Sequence, residues 1–166
     1  MKKKKIIHAF DNEDFVEDIE DNYVIGIITS LSHLQLVHFL NKTGYFYFEK
    51  TDEIELELKN EKALFIQYLS QDPEFGDRFK LIKNKGISAL ELYSASKSAT
   101  LNQEPKNYGN LGKEFKNLDY ILILDSENLE PIHQISDRLR LQKFVQATVE
   151  VDSDQISEKV KKLIHF

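Results

Sequence analysis

The chain has no cysteine. Disulfide staples, thiolate zinc sites and cysteine nucleophiles are therefore excluded, and a chain of this kind suits a reducing cytoplasm. Long apolar runs are also missing. None approaches the length of about 18 residues that a transmembrane helix needs, so no membrane association is expected. Lys2–Lys5 has the charge of a signal-peptide start, but the apolar run behind it ends at Asp11, too soon for a signal core. Glycine is not grouped where a phosphate would need it. Gly26 stands alone in Tyr23-Val-Ile-Gly-Ile-Ile-Thr29, which rejects a nucleotide-binding fingerprint. The acidic stretch 11–21 has no glycine at the turn position that a calcium loop requires. Basic charge is in deficit, with 22 Lys and Arg against 28 Asp and Glu and a net charge of −6. That balance argues against a broad nucleic-acid footprint and leaves room for a local basic patch.

What is present suits one soluble domain. The 166 residues are 41% hydrophobic and 30% charged, ordinary values for a globule. A chain of this length buries roughly 70% of its unfolded surface without staples or metal. Residues 1–21 form a charged, partly disordered lead-in, basic at Lys2–Lys5 and acidic from Asp11. Within it Phe15, Val16 and Ile19 have the spacing of a short docking helix. Residues 22–166 form the domain.

Tyr120-Ile-Leu-Ile-Leu124 organises that domain. An apolar run so short, closed by Asp125-Ser-Glu-Asn128, reads as a strand buried on both faces. Leu129, Ile132, Ile135 and Leu139 then mark a helix over 128–141. Phe144–Val151 follows as a strand, with Val145, Ala147, Val149 and Val151 on its apolar face. If both strands share one sheet, this strand–helix–strand unit makes them parallel. Tyr23–Thr29 is a second central strand, and Gly26 within it signals close approach by a neighbour or a bulge. Ser32-His-Leu-Gln35 is a capping box flanked by the staple pair Leu31 and Leu36. It opens a helix over 32–43 that stops near Gly44. His33 and His38 on this helix are five apart, not the three or four that ligands on one face need, so they read as surface or boundary residues.

Tyr45–Lys50 and Ile54–Leu58 read as a hairpin around Thr51-Asp-Glu53, with Phe46 and Phe48 inward and Tyr45 and Tyr47 outward. Ala63–Leu69 and Arg78–Lys83 read as another around Asp72-Pro-Glu-Phe-Gly76. Residues 94–110 read as a long polar loop. A last helix over 154–165 carries the stripe Ile156, Val160, Leu163 and Ile164, with Lys159, Lys161 and Lys162 toward its C-terminus.

Leu111-Gly-Lys-Glu-Phe-Lys-Asn-Leu-Asp-Tyr120 resembles the segment that names the bacterial IPExxxVDY family. Glu114, Asp119 and Tyr120 match in spacing, Leu118 stands for the valine, and Gly112-Lys113 replaces Ile-Pro. The resemblance covers about residues 20–151 and implies no particular activity. Read from the residues themselves, Leu111, Phe115 and Leu118 share one face of a short helix. Glu114, Asp119 and Tyr120 then serve the scaffold through hydrogen bonds. An active-site pair of Glu114 and Asp119 is the alternative, though without a histidine, serine elbow or glycine loop beside it.

The expected fold is α+β, a mainly antiparallel sheet with its helices mostly on one face. A ferredoxin-like or ACT-like layout is the analogy, which by itself assigns no function. With no catalytic constellation, cofactor loop or metal spacing in view, the leading functional expectation is a non-enzymatic cytoplasmic interaction or regulatory protein with a protein partner. One alternative is an RNA-processing or ribosome-assembly accessory, using Lys2–Lys5 and a basic rim of Arg138, Arg140, Lys143, Lys159, Lys161 and Lys162. A second is a small-molecule sensor with a sheet or dimer crevice.

Overall fold

The computed structural model describes residues 22–58, 61–72, 74, 76–88, 108–125, 127, 128 and 130–166. The lead-in 1–21 and most of the loop 94–110 lie outside these residues. In chain order the elements are β1 (Tyr23–Ile28), α1 (His33–Lys42), β2 (Glu49–Lys50), β3 (Ile54–Leu58), β4 (Glu61–Phe65), β5 (Gln67–Gln71), β6 (Arg78–Lys83), β7 (Ile87–Ser88), β8 (Tyr120–Leu124), α2 (Ile132–Arg140), β9 (Ala147–Val151) and α3 (Glu158–Ile164). Two 3-10 turns, Lys113–Phe115 and Ser153–Gln155, precede β8 and α3.

The fold is α+β. Six strands form one sheet in the order β2-β5-β6-β8-β1-β9, and three form a second in the order β3-β4-β7. All neighbouring pairs are antiparallel. Strand β8 lies inside the larger sheet, and all five of its residues are buried, as its uninterrupted apolar run requires. Strands β8 and β9 both run antiparallel to β1, which lies between them, so they are parallel to each other. The same holds for β1 and β6 on either side of β8. Two split β-α-β units therefore interlock, β1-α1-β6 and β8-α2-β9, in the sheet order β9-β1-β8-β6. This is the ferredoxin-like connection order, with β2–β5 inserted between α1 and β6.

Alternation along the strands divides the core in two. Tyr120, Leu122 and Leu124 join Ile25, Ile27, Phe79 and Leu81 beneath α1 (Leu36, Leu40) and α2 (Ile135, Leu139). Ile121 and Ile123 join Val24 and Ile82 on the opposite face. That face is covered by Ile54, Leu56, Ala63 and Phe65 of the small sheet, by Phe115 and Leu118, and by Ile156, Val160 and Ile164. Gly26 is central to this packing. A Cβ there would lie 2.3 Å from Leu118 Cδ1, so the close approach anticipated in β1 is that of Leu118.

Helix α1 begins as its capping box dictates. Ser32 Oγ accepts from the Gln35 amide, and Gln35 Oε1 accepts from the Ser32 amide. It ends before Gly44, whose φ of +71° suits glycine.

The structure departs from the sequence expectations at several elements. Tyr45–Lys50 and Ile54–Leu58 do not pair. Glu49–Lys50 pairs with β5 in the large sheet, and β3 pairs with β4 in the small one. The run 63–69 changes sheet at Ile66, so only its second half forms the expected hairpin with β6. That hairpin closes through Asp72, whose amide donates to Asp77 and whose carbonyl accepts from Gly76. Helix α2 starts only after Pro131, a residue that lacks the amide a continuing helix would use. The last helix is Glu158–Ile164, preceded by a 3-10 turn instead of starting at 154. Its stripe is as expected, with Ile156, Val160 and Ile164 buried and Leu163 packed against them. Finally, β9 is shorter than 144–151, and its buried residue is Thr148 while Val149 is 45% exposed. Thr148 lies under α2, where its hydroxyl meets Ser136 Oγ at 3.0 Å and accepts from Arg140 Nε at 2.7 Å. A hydroxyl with two partners can be buried where the pattern alone calls for an aliphatic side chain.

Candidate functional site

The segment that resembles the IPExxxVDY motif builds scaffold on one side and a cleft on the other. Glu114 Oε1 accepts from the backbone amide of Ser157 at 3.1 Å and from its hydroxyl at 3.2 Å. Ser157 is the N-cap of α3, so Glu114 places a carboxylate at that helix's positive end. The carboxyl carbon of Glu114 lies 2.7 Å from where a Gly112 Cβ would stand, which ties the glycine of this segment to the position of Glu114. Leu118 packs over Gly26. Asp119 and Tyr120 instead reach the start of α1. Asp119 Oδ2 accepts from the Thr29 amide at 3.0 Å, and Oδ1 lies 3.3 Å from Lys85 Nζ. The Tyr120 hydroxyl donates to the Leu31 carbonyl at 2.8 Å. Glu114 and Asp119 thus serve different elements and are not brought together as a pair.

These bonds shape a cleft of about 770 Å³ between the β1–α1 turn, the end of β6 and the start of β8. Among the described residues, its charged and titratable lining is His33, Lys83, Lys85, Asp119 and Tyr120. His33 projects from the first turn of α1, and its Nδ1 lies 2.6 Å from the Tyr68 hydroxyl. Burial, then the charges of Lys83 and Lys50, hold its imidazole below the usual 6.5. It is neutral at pH 7. Burial and the neighbouring Asp119 charge push the Tyr120 phenol well above its ordinary value, and burial raises Tyr68 as well. Both phenols therefore stay protonated and act as hydrogen-bond groups. Asp119 is already engaged by an amide and an ammonium. Among the described residues, the groups that line the cleft are Lys83, the Asp119-paired Lys85, the Tyr68-bonded His33 and the Ser32, Ser30 and Gln35 polar groups around the positive end of α1.

Behind the cleft, Asn84 locks the approach to β8. It is fully buried; its Nδ2 donates to the carbonyls of Phe115 (2.6 Å) and Leu118 (2.8 Å), and its Oδ1 accepts from the Leu111 amide at 3.1 Å. Nothing in its local sequence, Ile82-Lys-Asn-Lys85, singles it out, because all three partners are 27 to 34 residues away. His33 likewise finds its partner in β5, beyond the reach of helical spacing.

The residues of the expected basic rim are divided. Arg138 and Arg140 lie on α2, over one face of the sheet, whereas Lys159, Lys161 and Lys162 lie on α3, over the other. Arg138 donates to Glu130 at 2.6 Å and stacks 3.9 Å above the Tyr45 ring, and the Tyr45 hydroxyl donates to the same carboxylate. Tyr45 is therefore half-buried in this cluster and does not share the open face of Tyr47. Lys143 is exposed in the turn before β9. Among the described residues no cluster of three His, Asp or Glu side chains could hold a metal ion, and no helix is long and apolar enough to cross a membrane.

Comparison with protein-family models, with curated proteins and with solved structures finds no match.

Proposed function

We propose that this chain is a non-enzymatic regulatory domain whose cleft binds a small anionic metabolite, carrying phosphate or carboxylate, and passes that signal to a protein partner. The observation that carries the reading is the charge of the cleft. On a chain of net charge −6, the described residues of its lining carry the cations Lys83 and Lys85 against the carboxylate of Asp119, which pairs with Lys85, and His33 beside them is neutral. A volume of about 770 Å³ suits a small molecule. The helix-α1 amides add partial positive charge along the same wall. A binding role is favoured over a reaction because Asp119 and His33 are each held by a structural neighbour, Thr29 and Tyr68. In this reading the protein acts in the cytoplasm, and the likeness of 111–120 to the bacterial IPExxxVDY segment is its family context.

Thermal unfolding with inorganic phosphate, pyrophosphate and citrate as probes tests the reading. A probe at about 100 times its Kd adds about 2.7 kcal/mol, which raises Tm by several degrees. The rise is expected in the wild type and lost in Lys83→Ala/Lys85→Ala. No rise with any probe, or one that survives the double substitution, contradicts the site. A turnover abolished by Asp119→Ala or Glu114→Ala with the fold intact would contradict the non-enzymatic part.

A further inference from the structure

Strand β9 closes one side of the large sheet, and its outer side pairs with no other strand among the described residues. Edges of this kind are usually blunted by proline, lysine or a bulge. Ala147-Thr-Val-Glu-Val151 contains neither proline nor lysine, its one charge is Glu150, and it is irregular only at its start, where Ile28 pairs with Ala147 and also accepts from the Gln146 amide.

The direction of its backbone groups follows from the sheet. The Asn84 amide donates to Asp119, and the Asp125 amide donates to Arg78. The odd-numbered residues of β8 therefore bond toward β6 and the even-numbered ones toward β1, since antiparallel pairs alternate. In the observed registers, Ile123↔Lys80, Leu122↔Ile25 and Gly26↔Val149, this directs residues 147, 149 and 151 at β1. The amides and carbonyls of Thr148 and Glu150 point outward.

We infer that β9 is a self-association edge, joining a second copy of this chain antiparallel about a two-fold axis at Val149. In that register Thr148 of each copy exchanges two backbone hydrogen bonds with Glu150 of the other. Val149 then faces Val149 of the second copy as a non-hydrogen-bonded pair, the kind in which side chains approach most closely. Ala147 faces Val151. The whole side carrying Ala147, Val149 and Val151 is thus apolar against apolar, and Val149 is 45% exposed in the single chain.

The other side is complementary in charge. Thr148 and Glu150 lie opposite Ile27 and Ile25, on the face covered by α2. Arg140, at the end of α2, already donates to Thr148 Oγ1 at 2.7 Å. Because Thr148 sits beside Glu150 of the second copy, Arg140 faces that carboxylate, and symmetry supplies the contact twice. A slip of one residue in the pairing would put each apolar side chain on the wrong face; an axis at Glu150 would set the two Glu150 carboxylates opposite each other, and an axis at Thr148 would lose the Arg140–Glu150 contact, so side-chain chemistry favours the axis at Val149.

The test is sedimentation of the full chain across a concentration series, together with hydrogen exchange. The wild type is expected to dimerise. Val149→Lys, which sets like charges opposite each other, is expected to weaken self-association at least about tenfold. Glu150→Arg is expected to do the same, and Glu150→Arg combined with Arg140→Glu to restore it. The Thr148 and Glu150 amides are expected to be protected only at dimer-forming concentrations. Circular dichroism confirms that each variant is folded, and the charge-swap pair decides the matter if Val149→Lys is not. A monomer at every concentration, or a dimer that neither single substitution weakens, overturns the inference.

Discussion

Single residues carry more of this structure than their neighbourhoods suggest. Gly26 admits Leu118, which lies where a Cβ would stand. Gly26→Ala is expected to destabilise by about 1–3 kcal/mol through overpacking, measured by urea unfolding. Gly26→Ala in a Leu118→Ala background should cost less than in the wild type, the coupling expected of residues in contact. His33 sets a pH dependence of definite sign. Its pKa is lowered in the folded chain, so between that value and about 6.5 the unfolded chain binds more protons. The contribution is full above about pH 6.5 and is lost as pH falls toward the folded value. Urea midpoints measured down this range should fall more steeply for the wild type than for His33→Asn. Equal slopes would show that His33 is not the group responsible.

At the scale of elements, α3 shows how a weak helix is held by side chains from distant parts of the chain. It has seven residues, too few to persist alone. Glu114 binds its N-cap, and Lys80 Nζ donates to the carbonyls of Ile164 (3.3 Å) and His165 (2.5 Å) at its other end. An anion at the positive end and a cation at the negative end both complement the helix dipole. Glu114→Ala is expected to cost about 1 kcal/mol and to speed amide exchange in 157–161 before the rest of the molecule. Uniform acceleration across the sheet would contradict a local capping role. The stripe Ile156, Val160 and Ile164 was readable in the sequence because helical spacing is local. The two clamps were not, since each spans more than 40 residues. The sheet change at Ile66 was hidden for a different reason. Phe65 packs on one face of the large sheet and Ile66 and Tyr68 on the other, yet the alternation 63–69 reads as one unbroken strand.

At the scale of the whole molecule, the sequence discloses what depends on runs and periods. The run 120–124 announced a buried central strand, and 23–28 its neighbour. Period two in β9 misled because it is an edge, where Val149 meets solvent and Thr148 is satisfied beneath α2. The cleft could not be read in advance. Its lining comes from segments 29–35, 83–87 and 119–120, each ordinary in composition, and only the interlocked β-α-β units bring them together. The most direct test of the account is a titration of the isotopically labelled full chain with pyrophosphate, followed amide by amide by NMR. Shifts confined to 29–35, 83–87 and 119–120, saturating and absent in Lys83→Ala/Lys85→Ala, are the predicted result. Shifts that are absent, or that centre on α2 and α3 and leave those three segments still, would contradict it.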